Sequence, residues 1–206
     1  MGSWFGRLSS CALTVLVGAS FCSGADLASA KTAYAKKDYA TAFKELGPLA
    51  RQGNSEAEVL LGRMYLMGYG VLKDPDEADN LFRAAAEQGN ADAEFFVGAP
   101  SVMRHQNVND GLKWLRLSAE QGNQDAQLLL GKTYLEGIGS DLPRDPVQAD
   151  MWLRLAANHN LPFYQNELHV AEQRIDAADI AKGKALAQAW KPKRGSPVGD
   201  TSKPKS

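Results

Sequence analysis

The chain has 206 residues, 44% apolar and 23% charged, which is ordinary globular material. Its net charge of −1 gives no electrostatic reason to expect a nucleic-acid partner. Both cysteines, Cys11 and Cys22, precede Asp26, so the remainder carries no disulfide, no thiolate chemistry and no cysteine-based metal site.

The N-terminal stretch reads as an export signal. Arg7 supplies early positive charge, Cys11 to Phe21 is an apolar run, and Ser23-Gly24-Ala25 and Ala28-Ser29-Ala30 offer small-residue cleavage sites. Residues 1–25 are therefore expected to form a signal peptide, with cleavage after Ala25 or as late as Ala30. The run is short for a bilayer span. A retained anchor is the rival reading. Bulky Phe21 before Cys22 argues against a lipidation signal. No later apolar run approaches membrane-spanning length, so no stable membrane insertion is expected after cleavage, and the location expected is periplasmic or secreted.

Lys31 to Asp38 followed by Tyr39 to Ala50 predicts a short helical hairpin, with Ala42, Leu46 and Leu49 at helical spacing. Pro48 is expected to kink its last turn or end it early. Next comes a junction that recurs along the chain. Arg51 to Glu58 reads RQGNSEAE, Leu81 to Glu94 contains AEQGNADAE, and Ala119 to Gln127 reads AEQGNQDAQ. In each, a glycine able to take the left-handed conformation closes one helix, and an acid-rich start opens the next. Gly53, Gly89 and Gly122 are 36 and then 33 residues apart, and Asn160 takes the glycine's place in a degraded fourth copy. That period predicts a stacked repeat architecture.

The first full repeat, Ser55 to Gly89, predicts a helix with Ala57, Leu61 and Tyr65 on one face and Gly62 beside them. Glycine inside a helix costs about 1 kcal/mol against alanine; close helix approach is the expected compensation, and Gly98 and Gly131 hold the equivalent positions. Gly68-Tyr69-Gly70 ends the helix. Asp74 is the expected cap of the next one, with Pro75 at its first position. The second repeat, Ala91 to Gly122, carries Pro100 where the first has Met64. Its first helix is expected to be cut short near Gly98, with RHQNVND as an irregular connection. The third, Gln124 to His159, is regular again. A helix starting near Pro162 and a last one, Ala178 to Trp190, are expected to close the stack. Residues 191–206 hold five Lys or Arg against one Asp and are expected to form a disordered basic tail.

Ala57-x3-Leu61-Gly62-x2-Tyr65-x2-Gly68-x-Gly70-Val71, continued by Ala85-Ala86-x2-Gly89-Asn90, resembles the Sel-1-like repeat of the tetratricopeptide superfamily, and two further copies follow it in phase. The resemblance covers about residues 31 to 190. It implies an all-α, right-handed solenoid of antiparallel helix pairs over residues 26–190, and a task in protein–protein scaffolding or regulation, often in bacterial envelopes. Some relatives are cell-wall ligand binders or hydrolases, but those are cysteine-rich, and this chain lacks that feature after Cys22.

No catalytic set stands out. His105, His159 and His169 are scattered, and no metal, nucleophile-elbow or phosphate-loop motif is present. No enzyme activity, cofactor or metal is expected, and the acid pair Glu56 and Glu58 reads as a solvated face. The expected site is a concave groove lined by the first helix of each pair. Three columns should face it: acidic Glu56, Asp92 and Asp125; apolar Val59, Phe95 and Leu128; and Arg63, Ala99 and Lys132. An apolar stripe between charged edges suits a partner's peptide or amphipathic helix. The alternative is that the apolar column belongs to the core.

Overall fold

The computed structural model describes residues 26–158 and 161–193. The expected signal peptide, the Asn160 junction and most of the basic tail lie outside the described residues. Among the described residues ten helices follow one another: α1 Leu27–Ala35, α2 Tyr39–Arg51, α3 Ser55–Met67, α4 Pro75–Glu87, α5 Ala91–Met103, α6 Val108–Glu120, α7 Gln124–Glu136, α8 Pro146–Ala157, α9 Pro162–Glu172 and α10 Ala177–Ala189. The first eight form four antiparallel hairpins, each an A helix (α1, α3, α5, α7) and a B helix (α2, α4, α6, α8). Each hairpin packs on the next, which is the solenoid the period predicts.

The junction chemistry works as its residues require. Gly53, Gly89 and Gly122 take φ of 78°, 82° and 97°, closing α2, α4 and α6. The asparagine that follows each one caps the next A helix, with Asn54, Asn90 and Asn123 accepting from the N–H groups of Ala57, Ala93 and Ala126. Asp74 accepts from Glu77 N–H and Asp145 from Gln148 N–H, each followed by proline at the first helical position.

The glycine column brings A and B helices together. A Cβ on Gly98 would lie 2.7 Å from the Gly111 carbonyl and 2.8 Å from Leu115 N. One on Gly131 would lie 2.7 Å from Leu153 Cγ and 3.0 Å from Leu153 N, whereas one on Gly62 would meet only the Phe82 ring, at 2.8 Å. Backbone cannot swing aside as a ring can. Gly98→Val and Gly131→Val are therefore expected to destabilise by about 1–3 kcal/mol, and by more than Gly62→Val. Urea denaturation of the three variants checks this ranking; an unchanged midpoint for Gly98→Val would refute the close crossing.

The Pro100 expectation is corrected, and of the two for Pro48 the early end is ruled out. α5 runs unbroken through Pro100 to Met103, and α2 runs through Pro48 to Arg51. Each proline forfeits one ladder bond, that of its own N–H to the carbonyl four residues earlier, and the helix continues for only one more turn beyond it. Arg104 N–H still reaches the Pro100 carbonyl at 3.0 Å, and the facing glycines Gly98 and Gly111 hold α5 against α6 beyond the point where it was expected to stop. The irregular connection shrinks to Arg104–Asn107, with His105 and Asn107 at positive φ.

After α8 the pattern changes. His169 of α9 stands where the earlier A helices have glycine, so no B helix can approach α9 in the same way. α10 instead closes the stack by lying along α8. There Gly183 is buried so tightly that a Cβ would fall 2.5 Å from Asp150 Oδ2. Below it, fully buried Asp150 pairs with Arg154 at 2.8 Å, and Arg154 also reaches Glu172 of α9 at 2.6 Å.

Candidate interaction surface

The A-helix face carries the columns expected to form a groove. Glu56, Asp92 and Asp125 are exposed, but each is engaged by a neighbouring repeat. Lys31 Nζ reaches Glu56 at 2.6 Å, Asn123 Nδ2 donates to Asp92 at 2.7 Å, and Tyr164 donates its hydroxyl to Asp125 at 2.6 Å. The acidic column is thus also a line of clasps between repeats. Burial and the hydrogen bond to Asp125 push the Tyr164 hydroxyl up to about 12.

The apolar column divides. Val59 is 4% exposed and belongs to the core with Phe82 and Val97, so it supplies floor and not a protruding contact. Phe95 is half-buried, edge-on to Phe96 at 5.6 Å and packed on the core around α6 to α8. Leu128 is half-buried against Leu153 and Ala171. In the third column Arg63 lies 5.2 Å above the Phe96 ring, Ala99 is buried, and exposed Lys132 pairs with Glu167 at 2.7 Å. A helix buried by neighbours on both sides has little apolar surface left to present, which is why this column sits mostly within the stack.

The structure joins four of the expected residues, Glu56, Val59, Arg63 and Asp92, in one open depression of about 620 Å³, together with Lys31, Leu60, Gln88 and Gln121. Phe95, Asp125, Leu128 and Lys132 lie outside it.

Glu58 was read with Glu56 as part of a solvated face. It is instead 6% exposed, and Gln88 Nε2 donates to it at 2.8 Å. One repeat on, Glu94 is 1% exposed and accepts from Gln121 at 2.7 Å; in the next, Gln127 occupies the same column and donates to the Ala119 carbonyl at 3.0 Å. The glutamines of the second and third Gln-Gly-Asn junctions, Gln88 and Gln121, thus reach back to the glutamate of the preceding A helix, whereas α1 offers no glutamate to Gln52. The QGN…AxE spacing carried this signal, but pairing across about thirty residues appears only when hairpins stack. Burial pushes the Glu94 carboxyl up to about 7 against the opposing hydrogen bond from Gln121, and raises Glu58 for the same reason. Among the described residues, no group of three or more His, Asp or Glu side chains is placed to hold a metal ion.

Stacked hairpins with a glycine-mediated A–B crossing and an A-helix depression define an α-solenoid of the tetratricopeptide type. The chain belongs to the Sel1 repeat family, whose model matches residues 55–90, 92–123 and 124–161. It resembles the crystal structure of a Sel1 repeat protein from Oxalobacter formigenes, with a TM-score of 0.62 and 26% identity over 80% of this chain and 70% of that one. It shares its fold with c5321, a protective antigen of uropathogenic Escherichia coli displaying an SLR fold, with a TM-score of 0.52 and 23% identity over 75% of this chain and 41% of that one. No curated protein matches. Sel1 repeats generally act as protein–protein interaction scaffolds and are typically non-catalytic.

Proposed function

We propose that this protein is an exported scaffold or regulatory adaptor of the bacterial cell envelope that holds a partner's peptide or helix on its A-helix face. The observation that carries this reading is the 620 Å³ depression, where Lys31, Glu56, Arg63 and Asp92 surround Val59 and Leu60. Charged groups of both signs around an apolar floor suit a chain that offers backbone, charge and a few apolar side chains. The Lys31–Glu56 pair is exposed on both sides and contributes little to stability, so it can open to a partner. A photo-crosslinking side chain at position 56 is expected to capture a defined partner in the cell envelope. The same group at Lys184, on the exposed side of α10, is expected to capture none. Equal capture from both positions would overturn the assignment of this face.

For an exported chain, cleavage after Ala25 fits the local capping better than cleavage after Ala30. Asp26 accepts from Ala28 N–H at 3.1 Å and caps α1, and Ala30 is fully buried. Cleavage after Ala30 would remove the first turn of α1 and that buried contact. The N-terminal residue of envelope-purified protein is expected to be Asp26. Terminal sequencing checks this, and recovery of Met1 would refute export by signal cleavage.

A further inference from the structure

A second surface lies on the B-helix side, away from the proposed groove and independent of it. Between α2 and α4 there is a cleft of about 480 Å³ lined by Phe43, Pro48, Leu61, Tyr65 and Leu81, with Lys44 and Arg51 of α2 and Glu77 of α4 also facing it. Phe43 and Tyr65 meet edge to face, 6.0 Å apart, within it.

The same chain shows how an equivalent cleft is filled. At α6 and α8, Trp152 stands where α4 has Leu81, and α10 lies over the pair. Ala187 and Trp190 of α10 pack on the core that contains Leu115, Ala119 and Trp152. Lys193 then anchors the segment, with its N–H donating to the Glu120 carbonyl at 2.8 Å and its ammonium pairing with the Glu120 carboxylate at 2.9 Å. Among the described residues no such helix lies over α2 and α4, and the smaller Leu81 leaves the cleft open. Counted back from the junction glycines Gly53 and Gly122, the residue in the place of Glu120 is Arg51. Arg51 and Lys44 are exposed and form no ion pair among the described residues.

We propose that the α2/α4 cleft docks an amphipathic helical segment of another protein, one that places an aromatic side chain beside Leu81 and, about three residues later, a carboxylate on Arg51. The aromatic supplies the buried anchor and the carboxylate supplies orientation. A second copy of this chain is a poor occupant, because its Lys193 would meet Arg51.

Two fluorescent peptides of residues 176–193 test this on the full chain, one natural and one carrying Lys193→Glu. The Lys193→Glu peptide is expected to bind at least tenfold more tightly than the natural one, and Arg51→Glu in the protein is expected to reverse that preference. Leu81→Gln, which keeps the side chain's size but removes the apolar wall beside the aromatic, is expected to weaken binding of the Lys193→Glu peptide at least tenfold while the melting temperature holds. Absence of saturable binding, equal binding of the two peptides, or a preference that survives Arg51→Glu would overturn the proposal. Tighter binding of the natural peptide would also overturn it, in favour of a second copy as the occupant.

Discussion

Arg154→Met is expected to lower stability by about 3–5 kcal/mol at neutral pH, the cost of stranding a buried charge. Asp150 is fully buried, and its two charge-assisted hydrogen bonds come from Arg154, at 2.8 and 3.1 Å. Burial already pushes the Asp150 carboxyl up, Arg154 pulls it back, and Glu172 adds to the upward push. Removing the guanidinium leaves burial and Glu172 alone. Asp150 must then ionise in a dry site or take up a proton, so the variant should recover part of its lost stability as pH falls. The double variant Asp150→Asn with Arg154→Met should lose less than Arg154→Met alone, because no buried charge is left unpaired. The damage should concentrate in α8 to α10, since α10 rests on Asp150 through Gly183. Hydrogen exchange with a denaturation series measures both effects. A loss below 1 kcal/mol would show that the pair is solvated and not buried.

Glu94→Gln is the second large effect, and it has the opposite sign. The folded carboxyl titrates near 7 against an ordinary value of 4.5, so the folded state binds its proton more tightly than the unfolded chain does. Its contribution to stability is therefore full at acid pH and declines as pH rises from about 4.5 to about 7. A shift of this size corresponds to about 3 kcal/mol by the top of that window. Glu58 and Asp150, also raised by burial, slope the same way. Glutamine does not ionise, and its oxygen can still accept from Gln121. Gln127, in the same column, already shows that glutamine fits, donating to the Ala119 carbonyl. Glu94→Gln should match the native chain at pH 5 and exceed it at pH 8, flattening the pH profile between them. Melting curves at the two pH values decide this. A variant less stable than the native chain at pH 8 would mean that the ionised carboxylate has a partner that stabilises it.

Repeat period, helix order and caps were legible from residues because they are local. A Gly-Asn junction carries its own left-handed turn and its own cap, so Gly53, Gly89 and Gly122 mark helix ends without reference to the rest of the chain. The glycine column was also legible, since a mid-helix glycine recurring once per repeat needs a packing reason. Other features depended on distant neighbours. Pro100 looked like a helix breaker until Gly111 was placed against Gly98. Glu58 reads as solvated until the next repeat brings Gln88 over it, and Glu94, which reads only as part of an acid-rich helix start, is buried beneath Gln121. The apolar column at Val59, Phe95 and Leu128 reads equally as groove or core until stacking divides it, enclosing Val59 and leaving Phe95 and Leu128 half-buried. His169 in the glycine column was readable as a letter, but its consequence, a final helix diverted onto α8, was not. The sequence by itself determined the helix order, the capped ends and the repeat that multiplies them, because those follow from backbone preference over a few residues. The tertiary structure alone decided which polar groups are buried, which apolar ones remain for a partner and where the last helix lies, because burial is a property of contacts between residues some thirty positions apart.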